Sequence, residues 1–147
     1  MRSASPPPKT LSAGIVVVRH DDARYRLLCL RAFDTWDFPK AAVLGESDPL
    51  ATAVAELQDA TGIHDLDFHW GEDYRETVPY ADGRASRYYL AQTRSADVAL
   101  RQPSGADSAS DHEYRWVAFD EAEDILPPRL ALVLDWAIGR LAGGHTR

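Results

Sequence analysis

Apolar positions group into short, differently spaced runs, and the spacing changes along the chain. Ala13 to Arg19 is an apolar, β-branched run (Ile15-Val16-Val17-Val18 at its centre), as expected of a buried strand. His20-Asp21-Asp22 reads as a turn, and Tyr25 to Ala32 as a second strand paired with the first in a hairpin. From Phe33 to Ser47 the residues are loop-like, headed by Trp36-Asp37-Phe38-Pro39-Lys40. Asp48 followed by Pro49 gives an N-cap and a proline at the first helical position. Leu50, Val54, Leu57 and Thr61 recur every three or four residues, the period of a helix with one buried stripe. Gly62 stands where a helix turns out of its last coil.

In the second half the period falls back to two. Leu66, Phe68 and Trp70 alternate with Asp67 and His69, which predicts a strand. Tyr74, Glu76, Val78 and Tyr80 predict another, turning at Ala81-Asp82-Gly83 into Arg87 to Gln92. Pro103 to Asp111 is small and polar, a surface loop. Tyr114 to Phe119 predicts a late strand, and Asp120 the cap of a short helix through Ile125. After Pro127-Pro128, the stripe Leu130, Val133, Trp136, Ala137 and Leu141 marks a C-terminal helix closed by Gly143-Gly144. Strands with one helix in the middle and another at the end imply an α/β fold, a mixed sheet covered on both faces. The expected organisation is a Pro-rich leader over residues 1–10, one domain over 11–142 and a tail over 143–147.

Composition narrows the partners. The 147 residues are 45% hydrophobic, enough for one packed domain. A net charge of −7 argues against a nucleic-acid backbone as partner, since phosphate binding there relies on clustered Lys and Arg. A phosphorylated small molecule stays compatible if a metal cation supplies positive charge. The start, MRSASPPPKT, has no apolar h-region, and the longest apolar stretch is too short to span a bilayer. The single cysteine, Cys29, lies in an apolar run as an inert buried thiol, which fits a reducing compartment; a cytoplasmic location is expected. The five histidines have no zinc-like spacing.

Glu56 and Asp59 sit three apart on the predicted central helix, and so are neighbours on its surface. Such a pair is either a solvated face or, beside a loop, a holder for Mg²⁺ or Mn²⁺ that neutralises a phosphate chain. Lys40, at the loop head, is either a phosphate contact or a surface lysine. One ring among Tyr88, Tyr89 and Tyr114 is suited to stack on a planar ligand, with at most one of Tyr88 and Tyr89 facing a cleft because strand neighbours point opposite ways.

Trp36-Asp37-Phe38-Pro39-Lys40, Gly45-Glu46 and Ala53 through Ile63 together resemble the Nudix hydrolase box, G-x5-E-x7-R-E-U-x-E-E-x-G-U with U a bulky apolar residue. Glu56, Leu57, Gly62 and Ile63 match, and Asp59 replaces a glutamate. Ala41, Ser47, Ala55 and Ala60 replace the first glycine, the first glutamate, the arginine and the last glutamate, while Glu46 lies one residue before the expected acid. The opening strand, Tyr88-Tyr89-Leu90-Ala91 and Glu113-Tyr114-Arg115-Trp116 follow in family order, most like the branch that cleaves diadenosine tetraphosphate asymmetrically.

The resemblance implies a Nudix-type α/β/α sandwich and hydrolysis of nucleoside diphosphate-linked compounds, dinucleoside polyphosphates foremost. It implies catalytic roles for Glu56, Asp59 and Glu46, and a weakly held Mg²⁺ or Mn²⁺ at Glu56 and Asp59, with either Glu46, or Asp111 and Glu113 from the late loop, making good the missing acid. Lys40, Tyr88 and Tyr114 are the implied substrate contacts. The alternative is a catalytically inactive Nudix-fold domain that binds a nucleotide or a protein.

Overall fold

In the computed structural model, residues 10–32, 34–77, 83–100 and 112–143 are described. Residues 1–9 of the expected leader and the C-terminal tail beyond Gly143 lie outside them, as do the Pro103 to Asp111 loop and the turn before Gly83, while Thr10, the last residue of that leader, opens the first strand. β1 (Thr10–Asp21) and β2 (Arg24–Ala32) form the expected antiparallel hairpin, with Asp21 opposite Arg24. The turn itself is Asp22-Ala23, one residue later than predicted, and both residues are left-handed at φ 54° and 69°. That conformation matches the right-handed twist of the paired strands, which is why two-residue hairpins select it.

The segment expected to be loop carries two short strands, β3 (Thr35–Asp37) and β4 (Lys40–Ala42). Pro39 between them has no amide hydrogen, and its carbonyl accepts from the Ile15 amide at 3.1 Å. β4 then pairs with β1, setting Lys40 opposite Gly14. A β-carbon on Gly14 would sit 2.3 Å from the Pro39 oxygen, so only glycine lets β4 lie this close.

α1 (Pro49–Thr61) begins as predicted: Asp48 accepts from the Ala51 amide at 2.9 Å, Pro49 follows, and Gly62 ends the helix at φ 80°. Its buried face is centred on Ala53, Leu57, Ala60 and Thr61, with Leu50 and Val54 only partly buried. The helix is therefore rotated from the predicted stripe, and two alanines bring its axis close to the sheet.

The predicted strand at Leu66–Trp70 does not form: one isolated bridge, Asp67 to Gln92, is all the pairing there. Leu66 and Phe68 pack instead beside the core under α1, an alternation that local packing satisfies without a ladder. β5 (Tyr74–Glu76), β6 (Arg84–Gln92) and β7 (His112–Val117) complete the sheet. The order is β3-β2-β1-β6-β5, with β4 also on β1 and β7 also on β2; β1 and β6 run parallel, the other pairs antiparallel.

α2 (Phe119–Ile125) starts two residues earlier than expected, so Asp120 lies in its first turn and Ala118 caps it without a side-chain bond. A 3₁₀ turn, Pro128–Leu130, leads into α3 (Ala131–Gly143). Ala13, Ile15, Val17, Leu28 and Tyr89 face α1, while Val16, Val18, Leu27, Cys29 and Tyr88 face α2 and α3. This alternation along β1, β2 and β6 makes the mixed sheet the middle layer of an α/β/α sandwich.

Candidate active site

The exposed flank of α1 and the β4–α1 connection enclose a groove of about 510 Å³ lined by Ala41, Ala42, Leu44, Ser47, Thr52, Ala55, Glu56 and Asp59. Its shape follows from local rules. The Asp48 cap and Pro49 fix where α1 starts, and a turn closed by the Ser47 amide on the Leu44 carbonyl at 3.0 Å folds the loop back over the helix. Thr52, Glu56 and Asp59 are three or four residues apart and share one stripe. Glu46 lies in that turn, exposed, beside the lining residue Ser47.

Three of the box substitutions, Ala41, Ser47 and Ala55, line this groove, and the fourth, Ala60, is buried at 7% exposure beneath it. Among the described residues no three His, Cys, Asp or Glu side chains gather as a ready-made ion cage. The donors that do line the groove are the carboxylates of Glu56 and Asp59 and the hydroxyls of Thr52 and Ser47. These hard oxygens suit Mg²⁺ or Mn²⁺, which commonly take one or two carboxylates and complete their shell with water and substrate phosphates.

Lys40 and Glu113 are not brought to that groove. Lys40 alternates with Ala41 along β4 and leaves on the other face of the sheet, where its Nζ meets Asp37 Oδ2 at 3.0 Å. Glu113 stands opposite Arg31 on the edge of the α2/α3 face, and accepts from Arg31 Nε at 3.0 Å. The guanidiniums of Arg31 and Arg115 lie 6.0 and 4.9 Å from the centre of the Trp36 ring. Tyr88 is fully buried, with its ring edge-on to Phe38 and no face open for stacking. Tyr89 is 4% exposed under α1, whereas Tyr114, opposite Leu30, is 38% exposed.

Asp37 is the functional-looking residue that sequence reasoning passed over. Its Oδ1 accepts from the Tyr88 hydroxyl and the Phe38 amide at 2.8 and 2.7 Å, and its Oδ2 from Arg129 Nη2 and Lys40 Nζ at 2.8 and 3.0 Å. Burial and the Asp37 charge push the Tyr88 hydroxyl far above its usual range, so it stays a donor. Burial acts against the Arg129 charge, but the bond and charge of Asp37 outweigh it and hold the guanidinium protonated. Arg129 lies 92 residues from Asp37 along the chain, beyond the reach of any local spacing rule. On the same face, burial, reinforced by the charges of Asp37 and Glu121, pushes the Cys29 thiol up to about 12, as an inert core thiol requires.

A helix-and-loop groove with two acids, placed on one face of an α/β/α sandwich, defines the class. The NUDIX domain sequence model matches residues 8–137, and the chain belongs to that family, as a Nudix-type pyrophosphohydrolase. Among particular proteins it is similar to rat bis(5'-nucleosyl)-tetraphosphatase [asymmetrical], with 28% identity over 123 residues, 76% of this chain and 80% of the rat protein. The fold is similar to a Caenorhabditis elegans Ap4A hydrolase binary complex, with a TM-score of 0.74 and 21% identity over 91% of this chain and 98% of that one. It is also similar to the NUDIX domain of Shewanella oneidensis NrtR complexed with ADP ribose, with a TM-score of 0.63 and 15% identity over 89% and 87% of the two chains. Nudix hydrolases in general use divalent metal ions and act on small nucleotide substrates. Among the described residues, no helix is long and apolar enough to cross a membrane.

Proposed function

We infer that the protein hydrolyses dinucleoside polyphosphates in the presence of Mg²⁺ or Mn²⁺, attacking the phosphate chain in the groove beside α1. The observation that carries this is that Glu56 and Asp59, both on box positions, line one groove with the connection that replaces the rest of the box. Glu56 and Asp59 are the residues that would hold the cation, which supplies charge neutralisation at the phosphorus. Asp59, the more exposed of the two, orients the attacking water in this reading, and Glu46, exposed in the neighbouring turn, accepts its proton. Lys40 contacts a phosphate on the far side of β4, and Tyr114 offers the ring for adenine, since the Tyr88 ring is enclosed.

The test is the conversion of diadenosine tetraphosphate and water to ATP and AMP with either metal. Glu56→Gln should lower kcat by about a hundredfold or more, the range of a lost acid–base or metal-activated step. Absence of turnover in the native protein with every metal and dinucleotide tried would remove the reading. A second reading, nucleotide binding without hydrolysis, is favoured by alanine at three box positions and serine at the fourth. It gains if nucleotide binds and no bond breaks.

A further inference from the structure

The cluster at Asp37 lies on the sheet face away from the groove, and four donors from three parts of the chain converge on its single carboxylate. Two of those donors are cations, the Lys40 ammonium on β4 and the Arg129 guanidinium in the 3₁₀ turn before α3, and both rest on the same oxygen, Oδ2. Among the described residues, one carboxylate between two cations gives these three side chains a summed charge of +1, in a chain whose total is −7. The cluster is partly open: the side chains of Lys40, Arg129 and Asp37 are 29%, 27% and 17% exposed. The geometry points to a two-cation phosphate clamp, in which Lys40 and Arg129 together take a phosphate group of a polyphosphate chain in competition with the Asp37 carboxylate that they share.

The proposal rests on the reading of Lys40 as a phosphate contact and adds Arg129 and Asp37 to it. An ammonium carries three donors and a guanidinium five, so each engages Asp37 and a phosphate oxygen with different hydrogens. The fork of Arg129 suits two oxygens of one phosphate, whereas Lys40 acts as a point charge. The Tyr88 hydroxyl and the Phe38 amide occupy Oδ1, which orients the carboxylate so that Oδ2 faces both cations. Ala41 faces the groove and Lys40 the clamp, so a ligand touching both passes around β4. That route suits a chain of several phosphates better than a single one.

The experiment is calorimetric titration of the whole protein with sodium tripolyphosphate in EDTA, without metal and without turnover. Arg129→Gln and Lys40→Gln should each weaken binding about tenfold, and Asp37→Asn, which raises the local charge, should tighten it at least about threefold. A merely structural Asp37 gives the opposite sign, so weaker binding in a folded Asp37→Asn protein overturns the clamp. Unchanged binding in Arg129→Gln overturns it as well. Should Asp37→Asn fail to fold, the salt dependence of binding decides. A shallower slope in Arg129→Gln than in the native protein supports the clamp, and an identical slope removes it. Because no bond is broken, a clamp confirmed in a protein that does not hydrolyse dinucleotides stands apart from the reaction.

Discussion

Gly14 and Lys40 face each other across β1 and β4 with no room between them: a β-carbon at Gly14 would lie 2.8 Å from the Lys40 β-carbon. Since the Pro39 oxygen is backbone and closer still, neither neighbour can simply swing aside. Gly14→Ala should cost about 1–3 kcal/mol by denaturant titration, the usual range for overpacking. It should also displace β4, and with it both Ala41 in the groove and Lys40 on the far face. A variant as stable as the native protein would show that β4 is free to shift.

The Tyr88–Asp37 bond invites a milder substitution. Tyr88→Phe keeps the ring against Phe38 and deletes one donor to a part-buried carboxylate. The expected loss is about 1.5–3 kcal/mol, the range for a hydrogen bond to a charged group. No change in urea midpoint would mean that water replaces the hydroxyl.

Restoring the missing box residues should be unequal in cost. Ala55 is exposed on the groove, so Ala55→Arg should alter stability by no more than about 0.5 kcal/mol. Ala60 is buried against the sheet, and Ala60→Glu should destabilise by about 1–3 kcal/mol. Mn²⁺ should return part of that loss if the added carboxylate reaches an ion beside Glu56. Thermal melts with and without Mn²⁺ measure both; equal losses in the two conditions would place the ion elsewhere.

Ala23 holds φ at 69° in the hairpin turn. Ala23→Gly removes the strain of a β-carbon in the left-handed region and should stabilise by about 0.5–1 kcal/mol. A fall in melting temperature would mean that the added freedom of the unfolded chain outweighs the relief.

Cys29, with its thiol pushed up to about 12, should resist alkylation at pH 8 until the protein unfolds. Rapid labelling of the native protein, followed by mass spectrometry, is the outcome that would contradict its burial.

What the sequence revealed depended on distance along the chain. The Asp48-Pro49 start, the Gly62 end and the β1–β2 hairpin rest on neighbours, and all three formed. Leu66–Trp70 has a strand's alternation, yet pairing needs a partner edge, and that information lies near Gln92 rather than in the segment itself. The rotation of α1 was hidden for a related reason: alanine carries little weight in a hydrophobic stripe, but Ala53 and Ala60 fit where bulkier residues would hold the helix off. At the candidate site, the three-residue spacing set Glu56 and Asp59 on one stripe of α1 and the likeness to the Nudix box singled them out, and both line the groove. The Asp37 cluster escaped because Lys40, Tyr88 and Arg129 reach it from β4, β6 and the turn before α3, and composition shows no basic patch there.

The parallel pairing of β1 with β6 also orders events in time. Thr10 is matched to Arg84 and Val18 to Gln92, so every contact in that ladder joins residues 74 apart. During synthesis the β1–β2 hairpin has both its strands early, but one long edge of β1 stays open until residue 92 has left the ribosome. Non-local pairing of this kind is slow, because a long loop must close before any bond rewards it. An unpaired run of Ile15-Val16-Val17-Val18 is meanwhile a template for a neighbouring chain. Slow, late closure and a vulnerability to aggregation in the nascent state are therefore written into the topology, and low expression temperature should favour soluble protein.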